Sequence, residues 1–129
     1  MKVGAQSLLA QAARLHMPII ALFAFSVLAV YAPGGGVGFV AGLAFALALT
    51  LHALVFGAAA SRAAFPPLAW RALLGLGVLA AIGGASVPRW AYAPLLAEGA
   101  LFAVTAAASA LIVQVLFGRA SAMRDAELR

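Results

Sequence analysis

Apolar residues run along this chain in four long blocks, and prolines mark most of the breaks between them. The blocks extend from about Leu15 to Ala32, Val37 to Ala60, Leu68 to Val87 and Pro94 to Phe117. A helix needs roughly 20 apolar residues to cross a bilayer, and each block is close to that length. Pro18 lies near the start of the first block and Pro33 ends it. Pro66 and Pro67 open the third, Pro88 ends it, and Pro94 opens the fourth. Proline is accepted in the first turn of a helix, where its missing N–H costs nothing, and just past a helix end. The pattern predicts an all-α membrane protein of four antiparallel transmembrane helices. The first helix can begin nearer Leu8, with residues 1–14 as an interfacial, partly helical lead-in. No linker is long enough to separate domains and no internal repeat is evident, so residues 1–129 read as a single membrane domain.

Composition agrees with spans rather than a soluble core. Of the 129 residues, 67% are hydrophobic and 9% charged, and the mean hydropathy is +1.14. A soluble domain of this size could not cover its core with so few charges. The net charge of +5 would point to nucleic acid on a soluble protein. Here the charges sit at the ends of apolar blocks, where the cytoplasmic leaflet accounts for them, so no nucleic-acid partner is expected. Lys2, Arg14, Arg62, Arg71, Arg119, Arg124 and Arg129 fall on one side of the predicted membrane and Arg89 alone on the other. By the positive-inside rule both termini are cytoplasmic, and residues 118–129 form a cytoplasmic tail. Tyr31, Trp70, Trp90 and Tyr92 fall near span ends, where an aromatic belt would lie. The absence of cysteine excludes disulfides and thiol chemistry. Gln6, Ser7, Gln11, Arg14 and His16 interrupt the stretch that a cleaved signal peptide would keep apolar.

The blocks are rich in small residues at four-residue spacing: Gly38, Gly42 and Ala46 in span 2, Gly77, Ala81 and Ala85 in span 3, and Gly99, Ala103 and Ala107 in span 4. Such stripes let helix backbones approach closely. Their number exceeds what packing within four helices requires, which points to flush contact with other membrane subunits. A general bias toward alanine is the alternative.

Few residues could carry chemistry. His52 lies in span 2, about 5 Å from its centre at 1.5 Å per residue. It is a candidate proton contact, because histidine changes charge near neutral pH. The alternative is a neutral ring bonded to a neighbouring helix, through Thr50 or a partner. Glu98, one turn into span 4, is a candidate cation or proton contact, or else an acid favoured by the helix dipole and reached by water. Arg71 can snorkel to the interface. Ser26, Thr105, Ser109 and Gln114 read as interhelical hydrogen bonders. His16 and His52 lie at different depths without ligand spacing or a carboxylate cluster, so no metal, haem or other cofactor is expected. No serine, histidine and carboxylate form a nucleophilic pattern, so the chain is not expected to be an enzyme.

Pro33-Gly34-Gly35-Gly36 is the unusual motif. No Gly-Lys-Ser/Thr follows it, so it is not a phosphate-binding loop. Mechanically it is a tight reversal: proline stops span 1, and glycine supplies the positive φ that lets span 2 start at once. Three glycines continuing to Gly38 and Gly42 mark Pro33, Gly34, Gly35, Gly36 and Gly42 as a structural turn and interface element.

In its context this turn resembles the B subunit of the multi-subunit Na+/H+ antiporters, the MnhB/MrpB type, or a related subunit of a complex-I-like ion-translocating complex. Arg14, Pro18, the Pro33–Gly36 turn and Phe39-Val40-Ala41-Gly42 follow the family's order, with Val37-Gly38 as an insertion. Pro94, Leu95 and Gly99 are similar to its entry to the last span. Val30-Tyr31-Ala32 replaces the family's Gly-His-Asn-like stretch, and Ala103 its span-4 lysine, so roles tied to those polar residues do not carry over. The resemblance implies an accessory subunit in a bacterial or archaeal inner membrane. It would pack beside larger proton-translocating subunits in a complex that moves Na+ and H+. Two other readings remain open. A self-contained four-helix transporter or channel would work as a homodimer and needs a carboxylate deep in a span; span 1 has none. A membrane scaffold or assembly protein leaves the triple glycine unexplained.

The orientation has a direct test. Single cysteines at Gly35 and Ala64 should react with impermeant reagents from opposite sides of the membrane, and labelling of both from one side would refute it.

Overall fold

A computed structural model describes the backbone of residues 2–30 and 36–127, with side chains described within 7–30, 36–57 and 59–119. It contains α1 (Lys2–Val30), α2 (Val37–Phe56), α3 (Ala58–Ala64), α4 (Pro67–Ser86) and α5 (Ala93–Glu127). Four segments are long and apolar enough to cross a membrane: Ser7–Val30, Val37–Phe56, Pro67–Ser86 and Ala93–Arg119. The 20 residues of α2 span about 30 Å, the thickness of a bilayer's hydrocarbon core.

Local sequence explains each boundary. Gly36 precedes α2 in the left-handed region, with φ 75° and ψ 21°, and its carbonyl accepts from Val40 N–H at 3.1 Å. The second apolar block continues to Ala60, but α2 stops at Phe56. Gly57 adopts φ 92° and ψ 167°, which breaks the helix, and a short α3 restarts beyond it. Phe65 is extended, as a residue before proline must be, and Pro67 opens α4 in its first turn.

Two elements are longer than their apolar blocks. α1 begins at Lys2, so Pro18 lies inside the helix rather than in its first turn. The alanine, leucine and glutamine upstream are good helix formers and carry the helix outward. α5 continues through the charged tail to Glu127. Its 35 residues reach about 52 Å, well past a bilayer core, so its last turns project beyond the membrane.

The helices pack in the order α1, α2, α5, α4, with α3 against α2 and α5. Contact register gives their directions. Gly38 meets Glu98 and Gly42 meets Phe102 and Thr105, so α2 and α5 run parallel. Gly84 meets Leu96 and Gly77 meets Ala100 and Val104, so α4 runs antiparallel to α5. Rings of Phe25, Phe45 and Phe102, with centroids 5.6–5.7 Å apart, join α1, α2 and α5.

The interior is built from alanine and glycine. Ala24, Ala41 and Ala107 are fully buried, whereas Leu22 is 67% and Leu68 76% exposed. Lipid is as apolar as leucine, so burying leucine gains little in a membrane, while small residues allow close van der Waals contact. The stripes divide accordingly. Gly38, Gly42 and Ala46 are all buried. In span 3, Gly77 is buried but Ala81 and Ala85 are exposed; the inward face of α4 is Trp70, Gly77 and Gly84. Trp70 is therefore a core anchor, packed on Ala107 and Ala110, and not a belt residue. Trp90 and Tyr92 are exposed and stack edge-to-face at 5.6 Å. Tyr31 lies outside the described residues.

A Cβ on Gly42 would sit 2.7 Å from Thr105 Cβ and 3.1 Å from the Phe102 carbonyl. Gly42→Val should therefore push α2 from α5 and cost about 1–3 kcal/mol, read as earlier thermal unfolding in mild detergent. Gly75 faces open space, so Gly75→Ala should be neutral or add up to about 1 kcal/mol of helix propensity. Matching melts for the two variants would contradict this packing.

Candidate functional site

The first turn of α2 presents amide groups with no partner in their own helix. Among the candidate residues, Glu98 is brought to this end. The carboxylate is 6% exposed, and its Oε2 accepts from the Gly38 N–H at 2.6 Å. A side chain on Gly38 would run into the Glu98 backbone carbonyl, so only glycine permits this approach. A negative carboxylate is also favoured at the positive end of a helix dipole. The dipole it complements belongs to α2, across the interface, and the group is buried rather than wet. Gly36 starts the same turn and Gly42 lies one turn further along the same contact. Pro33, Gly34 and Gly35 lie outside the described residues.

His52 lies at the other end of α2, about 21 Å from Gly38 along the helix. It does not share a site with Glu98. Its ring stacks on Phe56 with centroids 4.9 Å apart, and its Nδ1 is buried without a hydrogen-bond partner. Thr50 is not that partner, because its hydroxyl donates to Ala46 O at 2.8 Å within α2. The ring lines a groove of about 570 Å³ between α1 and α2, with Arg14, Met17, Ala21 and Ala48. The Arg14 guanidinium lies over the Phe56 ring, 5.6 Å from its centroid.

A third cluster ties α3 to α5. Gln114 is 4% exposed, and its Nε2 donates to the Phe65 carbonyl at 2.9 Å. Arg62 Nη2 donates to the Gln114 backbone carbonyl at 3.2 Å and passes so close to Gly118 that a side chain there would displace the guanidinium. Gln114 is thus an interelement hydrogen bonder, whereas Ser26 bonds Leu22 O within its own helix. The role of Arg62 and Gly118 was not evident from sequence. The only signal was a lone glycine beside a charged helix end, and it became legible only once α3 folded back on α5. Among the described residues no group of three potential metal ligands lies together.

These features define a class: an all-helical membrane protein with four candidate spans, an alanine-glycine interior, and buried polar groups that join one helix to the next. The chain belongs to the family of domains related to the MnhB subunit of the Na+/H+ antiporter, which matches residues 8–123. That is the family to which the Pro-Gly-Gly-Gly turn pointed, and it is a family of transport rather than enzyme catalysis. Comparison with curated proteins and with solved structures gave no match.

The Glu98–Gly38 bond predicts an order of stability. Glu98→Ala leaves a buried amide without an acceptor and should cost about 1–3 kcal/mol in detergent melting experiments. Glu98→Gln keeps an acceptor oxygen and should lose less. A Glu98→Ala protein as stable as the wild type would show that the bond does not hold α2.

Proposed function

We propose that the chain is an accessory membrane subunit of a multi-subunit cation/proton (Na+/H+) antiporter in a bacterial or archaeal inner membrane. It packs as one membrane domain, with both termini cytoplasmic, beside larger proton-translocating subunits. The observation that carries this reading is the family match across residues 8–123. The surface supports it. Bulky residues along α1 and α4 face outward, and exposed Ala81 and Ala85 leave a smooth strip on which a neighbouring helix can lie close. Na+ and H+ are the ions of the complex. Glu98 and His52 are this chain's candidate contacts to an ion route, one at each end of α2. Gly36 and Gly42 shape the interface around the first of them, and Pro33, Gly34, Gly35 and Gly36 are this chain's candidate structural turn. Intramembrane ionisable groups default to such roles, because burying them is costly.

Purification from native membranes in mild detergent should recover the chain with several other hydrophobic subunits. The purified assembly should exchange Na+ for H+ in proteoliposomes. Recovery as a homodimer that transports alone would overturn the proposal. Within it, His52→Ala should lower exchange without loss of assembly; unchanged exchange would remove His52 from the ion route.

A further inference from the structure

The α1–α2 groove is unlike the rest of the surface. Its walls are apolar, formed by Met17, Ala21, Ala48 and Leu49 among others, yet Arg14 and His52 both open onto it. Both flank the Phe56 ring, Arg14 at 5.6 Å and His52 at 4.9 Å from its centroid, so they lie at the same end. Arg14 makes no ion pair with a carboxylate among the described residues, and its guanidinium lies over the Phe56 ring. The His52 ring has only one nitrogen free to meet a ligand. Nδ1 is buried and has no acceptor, and a proton placed there would be an orphaned donor. With the ring proton on Nε2, His52 is a donor toward the groove.

The polar end of the groove thus offers donors: a fixed positive charge and, beside it, an imidazole N–H. The apolar part extends from there toward the membrane interior along Met17, Ala21 and Ala48. Its volume of about 570 Å³ falls within the roughly 300–1,000 Å³ of ligand pockets. A ligand that matches carries a negative group at one end, an acceptor a short way in, and a flexible apolar chain.

We propose that the α1–α2 groove binds an anionic phospholipid, with the phosphate on Arg14, an ester carbonyl on the His52 Nε2–H, and an acyl chain along Met17, Ala21 and Ala48. Charge complementarity selects this occupant. Arg14, level with the Phe56 end of α2, is placed to attract anionic headgroups at the membrane surface, and its planar fork matches a phosphate. A zwitterionic lipid also carries a phosphate, but its ammonium group adds a second positive charge beside Arg14 and weakens the attraction. The site requires only that the chain sits in a bilayer and is independent of the antiporter assignment.

The full-length protein, purified in mild detergent, would be supplemented with phosphatidylglycerol, phosphatidylcholine of the same acyl chains, or inorganic phosphate. Melting temperature and lipid retention by native mass spectrometry would be read for each. Phosphatidylglycerol should raise the melting temperature by several degrees and stay bound, phosphatidylcholine should do so clearly less, and inorganic phosphate should leave it nearly unchanged. Arg14→Gln should abolish most of the shift and weaken retention about tenfold, and His52→Phe should reduce both. Arg89→Gln, just before the start of α5 and so at the opposite end of the bundle from the Phe56 end of the groove, should keep the full response. An equal shift with phosphatidylcholine or with phosphate alone, or an unchanged response in Arg14→Gln, would overturn the proposal. So would a photo-crosslinker at Ala21 that captures a partner subunit in the native assembly, since that would place a protein helix in the groove. None of these measurements depends on ion exchange, so the lipid site and the antiporter reading can fail separately.

Discussion

The close approach of α2 to α5 is the contact on which the rest of this protein depends. Two backbones can meet at this distance only where side chains are missing, and Gly38 and Gly42 supply the gap. Once they meet, the Glu98 carboxylate reaches the exposed amides at the start of α2 and satisfies Gly38 N–H. The glycine and the carboxylate act as a pair: without the gap the acid could not arrive, and without the acid a buried amide would have no acceptor. α1 then leans on the outer side of α2 and α4 on the outer side of α5.

This construction explains the inverted distribution of side-chain size. Small residues fill the interior, and leucine and phenylalanine stand outward. In water that would be unstable, but in lipid leucine loses nothing by facing out, and association rests on contact area and hydrogen bonds. The polar groups are placed with the same economy. Gln114 bonds the Phe65 carbonyl where Pro66 interrupts regular helix and a carbonyl would otherwise lack a partner, and Arg62 reaches across to the Gln114 carbonyl within α5. The two ends of α2 differ as a result. One is closed by Glu98, and the other opens onto a groove with donors at its rim.

Much of this was legible in one dimension. Proline positions and apolar lengths place the helices, because a spanning helix must be long, apolar and internally bonded. The Gly38–Gly42–Ala46 stripe was readable as a contact face because four-residue spacing stays on one side of a helix. The family resemblance rested on Arg14, Pro18 and the turn, and the match over residues 8–123 accords with it. Other features were not legible for identifiable reasons. Gly57 sits inside an apolar run, and hydropathy does not register a change in φ. Trp70 near a span end fits an aromatic belt until Ala107 and Ala110 are seen to make room for it. Ala81 and Ala85 share a spacing with Gly77, but α4 meets α5 along a seven-residue repeat through Trp70, Gly77 and Gly84, so those alanines face out.

Four membrane-length helices, most of their ends, and the family that the turn resembles can all be read from the order of residues alone. These follow from chain-local physics: hydropathy, proline sterics and the torsional freedom of glycine. The contacts of each polar residue were set by tertiary packing. It placed Glu98 on a helix sixty positions away in the chain, and His52 at the opposite end of that helix. It also brought Arg62 across Gly118 to the Gln114 carbonyl. A hydrogen bond between distant helices depends on which faces meet and in what register, and that is set by packing across the bundle rather than by any run of neighbouring residues.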